Sequence, residues 1–156
     1  SPRLTPQYKE ISKAAEELGF QLITRKINSG KDLPSALREI SSQIDCFLMI
    51  PDTAIYFPES VEYLLIESLR NKFAVVGLSS FYTKAGTLIS YECDYRDMGN
   101  QAGAIALRLL NGESPADIEF SRPRKVKSSF NLITAEGLNI KIPRVFIKEA
   151  SEVFEE

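Results

Sequence analysis

Three observations on this 156-residue chain predict an α/β fold, a three-layer and mainly parallel sheet with helices on its flanks. Several stretches repeat apolar residues at helical spacing. Between them lie short, continuous apolar runs such as "DCFLMI" and "FAVVGL", too short for buried helices and suited to strands covered on both faces. The two kinds of segment alternate, as they do when a crossover helix links parallel strands.

The elements follow in order. From Thr5 to Leu18, Tyr8, Ile11, Ala15 and Leu18 share one helical face, and Gly19 supplies a left-handed stop. "FQLITRKI" reads as a strand, "NSGKD" as a turn, and Asp32 as the cap of a helix that turns Leu33, Ala36, Leu37 and Ile40 inward. "DCFLMI" is the next strand and ends at Pro51. After the loop "PDTAIYFPES", a helix from Glu59 to Arg70 gathers Val61, Leu64, Leu65, Ser68 and Leu69 on one side. "FAVVGL" is again a strand, turn signals surround Lys84 to Gly86, and "TLISYEC" is strand-like. Asp94 or Asp97 caps a helix with Met98, Ala102, Ile105 and Leu109 inward, which stops at Asn111-Gly112. The remainder reads as "DIEF", a hinge "SRPRKVK", a strand "SSFNLI", a short helix "TAEGL" and an amphipathic segment from Arg144 onward. The acidic tail "EASEVFEE" reads as a solvated helix end, with a docking contact as the other reading.

Composition narrows the function classes. Hydrophobic content of 44% with 26% charged residues is ordinary for a folded domain, and no tract is polar or repetitive enough for disorder. A net charge of −2 and one short basic cluster, Arg122, Arg124, Lys125 and Lys127, argue against a nucleic-acid partner. The sequence has no histidine, which excludes His-based triads and His metal sites, and two separated cysteines cannot build a structural zinc site. Cys46 and Cys93 sit in apolar stretches and read as buried thiols rather than a bridge. No metal or cofactor site is expected. "GNQAG" is not a phosphate loop; Gly99 and Gly103 read as points where a helix approaches its neighbour. Asp52, Glu59, Glu92, Asp94 and Asp97 are the acid-base candidates, and their spacing alone does not pair them, so no catalytic residue is assigned. A phosphoryl-receiver domain is disfavoured too, since no opening strand carries an acidic pair and "FAVVGLSS" has no lysine.

No run of about 18 apolar residues exists, and the opening "SPRLTPQYKE" has neither a starting methionine nor a signal-peptide profile. A processed or engineered fragment, with a strand before Ser1 missing, is the expectation. In a parallel sheet, ligands sit beyond the carboxyl ends of the strands, which directs attention to "SPRLTP", "PDTAIYFPE" and "SSFYTKAG".

The motifs "AAEELGFQLI", "DLPSALREISSQIDCFLMIPDT", "NKFAVVGLSSFYTKAGTLISYECDYRDMGNQAGAIALRLLNGESPADIEF" and "FNLITAEGLNIKIP" together resemble the ABC-transporter substrate-binding family whose characterised members bind aromatic amino acids. The resemblance covers essentially this whole chain and about the C-terminal half of a full member. It implies part of a type I periplasmic-binding-protein fold, a hinged two-lobe clamp. Residues 1–80 then belong to the second lobe, 81–127 to a crossover, helix and strand of the first, and 128–156 to the return and C-terminal helix. It also implies a membrane permease as partner, an extracytoplasmic or lipid-anchored location, and binding of an amino acid or similar solute without reaction. The alternative is an extracytoplasmic sensor domain of a signalling protein such as a histidine kinase. Dimerisation or domain swapping could complete the sheet of the fragment.

Within that clamp the candidate ligand contacts each carry two readings. Asp52 either binds a ligand ammonium or caps its own turn, and Thr53 is similar. Ser79 and Ser80 either meet a carboxylate or form a simple turn. Phe81 and Tyr82 wall an aromatic ligand or pack between lobes. Tyr91 and Asp94 touch ligand or serve the hinge and the helix cap. Thr5 lines the entrance or, the plainer reading, caps the first helix.

Overall fold

Helix α1 (Thr5–Glu17) ends where the periodicity places it, on Gly19 with φ of +74°. A computed structural model describes residues 5–155, with the side chains of 5–7 excepted. The chain divides into two compact units with the break between Ala74 and Val75.

In the first unit α1 is followed by an extended segment, a 3-10 turn at Gly30–Asp32, α2 (Leu33–Ile40), β1 (Cys46–Leu48) and α3 (Pro58–Asn71). Helices α2 and α3 pack together, and the buried apolar side chains are Leu33, Leu37 and Ile40 of α2, Met49 after β1, Val61 and Leu64 of α3, and Phe73. Asp32 turns backward rather than forward: its Oδ2 accepts the Asn28 and Ser29 N–H groups at 3.0 and 3.1 Å, closing the turn before α2. Two expectations fail here. "FQLITRKI" is not a strand, because no described strand lies beside it to form a ladder, and Phe20 stands 69% exposed. Strand β1 is three residues long, with Cys46 and Leu48 exposed rather than covered on both faces. Both cysteines are free, and Cys46 is at the surface, not buried.

The second unit takes up β2 (Ala74–Gly77), then α4 (Ser80–Ala85), β3 (Ile89–Cys93), α5 (Tyr95–Leu110), β4 (Val126–Asn131), α6 (Leu132–Gly137), α7 (Arg144–Glu149) and β5 (Glu152–Phe154). The strands of this unit stand in the order β2-β3-β4-β5. Strand β2 runs parallel to β3, β3 antiparallel to β4, and β4 parallel to β5, with Gly77 opposite Ser90, Ser90 opposite Ser129, and Ser129 opposite Glu152. The mainly parallel α/β sheet with flanking helices is therefore the fold, with one antiparallel step.

Three corrections concern this unit. The "SSFYTKAG" segment is a short helix, α4, rather than a loop with a turn at its end. The tail pairs as β5 and is not a helix end, because Val153 and Phe154 are β-formers lying beside β4. The apolar stripe of α5 is not inward: Met98, Leu107, Leu109 and Leu110 are exposed, and Asp97 is the buried residue of that helix. In line with this, a Cβ on Gly99 or Gly103 would meet nothing within 4 Å among the described residues, so no close helix approach explains those glycines here.

Candidate functional site

Strands β2 and β3 are parallel, so their carboxyl ends lie at the same end of the sheet. Ser79 and the first turn of α4 leave from the end of β2, and Tyr91 to Asp94 form the end of β3. This is the sheet end at which α/β proteins hold ligands.

Ser79 is extended (φ −165°, ψ 169°) and its carbonyl accepts the Tyr82 and Thr83 N–H groups at 3.0 and 3.2 Å. Its side chain makes no capping bond, and both Ser79 and Ser80 keep hydroxyls without a partner among the described residues. Phe81 is 74% exposed, and its ring stands edge-on to Tyr82, with centroids 5.6 Å apart and planes at 87°. Helix α4 thus presents two half-buried hydroxyls and an aromatic pair within four residues. Tyr91 alternates with Ser90, whose hydroxyl meets Thr87 below α4; Tyr91 therefore sits on the opposite face of the sheet, half exposed.

Asp94 is occupied otherwise. Its Oδ1 accepts the Arg96 and Asp97 N–H groups at 3.0 and 3.1 Å, capping α5, and its Oδ2 lies 3.4 Å from Lys127 Nζ. The Asp97 N–H and, less strongly, Lys127 hold its carboxyl below the ordinary aspartate range. Asp97, 5% exposed, is gripped by Arg124 through Oδ2–Nε at 2.8 Å and Oδ1–Nη2 at 2.9 Å, with Lys125 at 3.7 Å. The guanidinium lowers its pKa in turn. Two neighbouring acids both held ionised are the opposite of a catalytic dyad with separated pKa values. Three members of the basic cluster, Arg124, Lys125 and Lys127, face these acids. Sequence reading did not anticipate that pairing; an acid at the start of α5 and a basic run entering β4 were the available signals.

In the first unit, the loop after β1 carries Asp52 and Thr53. Asp52 Oδ1 accepts the Ala54 N–H at 2.9 Å, and its carbonyl accepts from Ile55 and Tyr56, so the acid shapes its own turn. Oδ2 has no hydrogen-bond partner among the described residues. Thr53 is exposed. The loop is tied down at its far end: Gly30 N–H donates to the Ala54 carbonyl at 2.9 Å, and the Ser60 hydroxyl accepts from Phe57 N and donates to the Ile55 carbonyl at 2.6 Å. Thr5 is the first residue of α1, and its side chain lies outside the described residues.

An open depression of about 400 Å³ in the second unit is elsewhere. It lies between α6 and α7 and is lined by Leu132, Ala135, Ile140 and Ile147 among others. Because β4 is antiparallel to β3, α6 leaves from the sheet end opposite Tyr91 to Asp94. Among the described residues no group of three or more His, Cys, Asp and Glu side chains could hold a metal ion.

Comparison with known proteins adds the following. The family model described as ABC transporter substrate binding protein matches residues 3–154. Among curated proteins, an uncharacterized protein of Rickettsia prowazekii is 22% identical over 148 residues, 90% of this chain and 48% of its own length. A tyrosine-binding protein of Clostridioides difficile is 20% identical over 135 residues, 86% of this chain and 39% of its own. The chain thus spans half or less of the curated relatives it matches. Among solved structures, an ABC domain in complex with L-Trp from Streptococcus pneumonia is 26% identical with a TM-score of 0.72, covering 96% of this chain and 50% of that one. The ligand-free, open structure of a substrate binding protein with adhesive properties from Clostridium difficile is 18% identical with a TM-score of 0.77, covering 100% of this chain and 52% of that one.

Proposed function

The chain belongs to the ABC transporter substrate binding protein family, and from that premise we propose that it binds a small solute, an amino acid or a molecule of similar size, without altering it. The observation that carries the reading is the run Ser79–Tyr82 at the carboxyl end of β2. Its uncommitted hydroxyls suit a solute carboxylate, and the exposed Phe81 ring beside Tyr82 suits an apolar or aromatic side chain. In the other unit, the free Oδ2 of Asp52 suits a solute ammonium, with Thr53 beside it as a further contact. Tyr91, Asp94 and Thr5 complete the proposed set, Asp94 chiefly by holding the start of α5. The relatives named for tyrosine binding and for an L-Trp complex support an aromatic amino acid as the first solute to try.

The solute would be handed to a membrane permease of an ABC importer outside the cytoplasm. Residues 1–80 and 128–156 would belong to one lobe and 81–127 to the crossing and the other lobe. Closure of such a clamp needs no bond chemistry, only tighter binding of the solute by the closed state. The downward-shifted pair Asp94 and Asp97 supports the non-catalytic reading. The test is thermal denaturation of the complete protein against a panel of amino acids, nucleosides and sugars. A solute at a hundred times its dissociation constant adds about 2.7 kcal/mol of stability. Stabilisation by amino acids that are recovered unchanged is expected. A panel without any shift would sink solute binding, and turnover of any compound would sink the non-enzyme reading.

A further inference from the structure

Helix α4 has six residues, too few to be stable alone, and its one fully apolar ring, Phe81, points to solvent. What holds it to the sheet is polar. Thr83 is its fully buried side chain, 0% exposed, and Thr83 Oγ1 meets Ser129 Oγ at 2.7 Å. The carbonyl of the same residue accepts Asn131 Nδ2 at 2.9 Å. One turn later the Gly86 carbonyl accepts Thr134 Oγ1 at 3.0 Å. All three ties come from β4 and α6, 46 to 48 residues further along the chain. Asn131 also caps α6, its Oδ1 accepting the Thr134 N–H at 2.8 Å. Gly77 on the sheet leaves room for Tyr82 to descend, since a Cβ there would stand 3.0 Å from Tyr82 Cβ and 2.8 Å from Thr87 Oγ1.

Apolar packing tolerates small slides and rotations; hydrogen bonds inside a dry interface do not, because each misplaced donor or acceptor is left unsatisfied at full cost. A helix seated on three directional bonds therefore has one position, set to within a fraction of an ångström. We propose that Thr83, Ser129 and Asn131 are positioning residues for solute binding: they fix α4, and through it the Ser79–Tyr82 contacts, without touching the solute. This inference rests on the solute-binding reading above. It also gives the asparagine of "FNLITAEGL" a physical role, as a joint between two helices and the sheet.

The test uses the complete protein carrying Thr83→Val, which keeps the shape and removes the hydroxyl, Thr83→Ser, which restores it, and Ser129→Ala, which removes the same bond from the sheet side. Two readouts are taken: amide hydrogen exchange in the free protein, and the dissociation constants for L-tryptophan and L-tyrosine. Thr83→Val and Ser129→Ala are expected to lower protection of the Tyr82, Thr83, Gly86 and Thr87 amides at least tenfold relative to β3, and to weaken binding at least fivefold. Thr83→Ser should stay within twofold of the unmodified protein in both. Unchanged protection, or an equal loss throughout the second unit, overturns the positioning role. Failure of the unmodified protein to bind either amino acid, with the exchange pattern as expected, overturns the aromatic-amino-acid reading and leaves the anchoring of α4 supported.

Discussion

Replacing Gly30 by alanine probes how the Asp52 loop is held. Gly30 is buried, and its backbone is not in the left-handed region, so alanine suits its dihedral angles and only space opposes it. The added Cβ would press into the Ile55 carbonyl oxygen and the edge of the Phe57 ring, with Phe57 Cδ1 at 3.0 Å. The opposing atoms include backbone, and the Phe57 ring is half-buried, so the loop itself must move. Overpacking of this kind costs about 1–3 kcal/mol. Displacing the loop also endangers the Gly30–Ala54 hydrogen bond, about 1 kcal/mol. Alanine recovers about 0.4–1 kcal/mol by stiffening the unfolded chain. The net expectation is a destabilisation of about 2 kcal/mol. In urea, with a slope of about 2 kcal/mol per molar, the midpoint falls by about 1 M at unchanged slope. A midpoint that stays put or rises would show that residues 51–57 yield freely, and the fixed turn at Asp52 would lose its physical basis.

Other perturbations separate core, surface and acid effects. Phe73→Ala empties a fully buried site in the first unit and should cost about 3–5 kcal/mol, read by the same urea titration. Arg108→Ala breaks the exposed pair with Glu113 and should change stability by less than about 1 kcal/mol. Asp97 has a folded-state pKa lowered by Arg124, so its contribution is present above the ordinary aspartate value of about 3.9 and is lost as pH falls through the lower folded value. Asp97→Asn should therefore be less stable than the unmodified protein at neutral pH and converge on it in acid. A stability gap that persists unchanged down to the acid limit would contradict the ion pair as its source.

What could be read from the sequence was local. The Gly19 stop and the Asp94 cap depend on residues within a turn or two, and each is where capping chemistry places it; the α3 stripe holds at Val61, Leu64 and Ser68, whereas Leu69 is exposed and Glu67 is buried instead. What could not be read depended on partners far along the chain. "FQLITRKI" has strand composition, but a strand exists only with a neighbour to pair, and none is described beside it. The tail became β5 because β4 lies alongside, which its acidic residues do not announce. Helix α4 was hidden by length, although Ser79 before it and Gly86 after it were start and stop signals. The α5 stripe was real as a pattern; the pattern says that the face is apolar, not what covers it. At the site, the strand reading placed Ser79–Tyr82 just past the end of β2, whereas the grip of Arg124 on Asp97 and the tie of Asn131 to α4 needed coordinates.

Isothermal titration of the complete protein with the amino acids, alongside the Ser79→Ala/Ser80→Ala double variant, bears most directly on the central claim. The account predicts one saturable site for at least one amino acid, which is recovered unchanged. It also predicts a tenfold or greater loss of affinity in the variant, since hydrogen bonds to a charged group are worth about 1.5–3 kcal/mol. Flat isotherms for all amino acids, or equal affinity in the double variant, would contradict it.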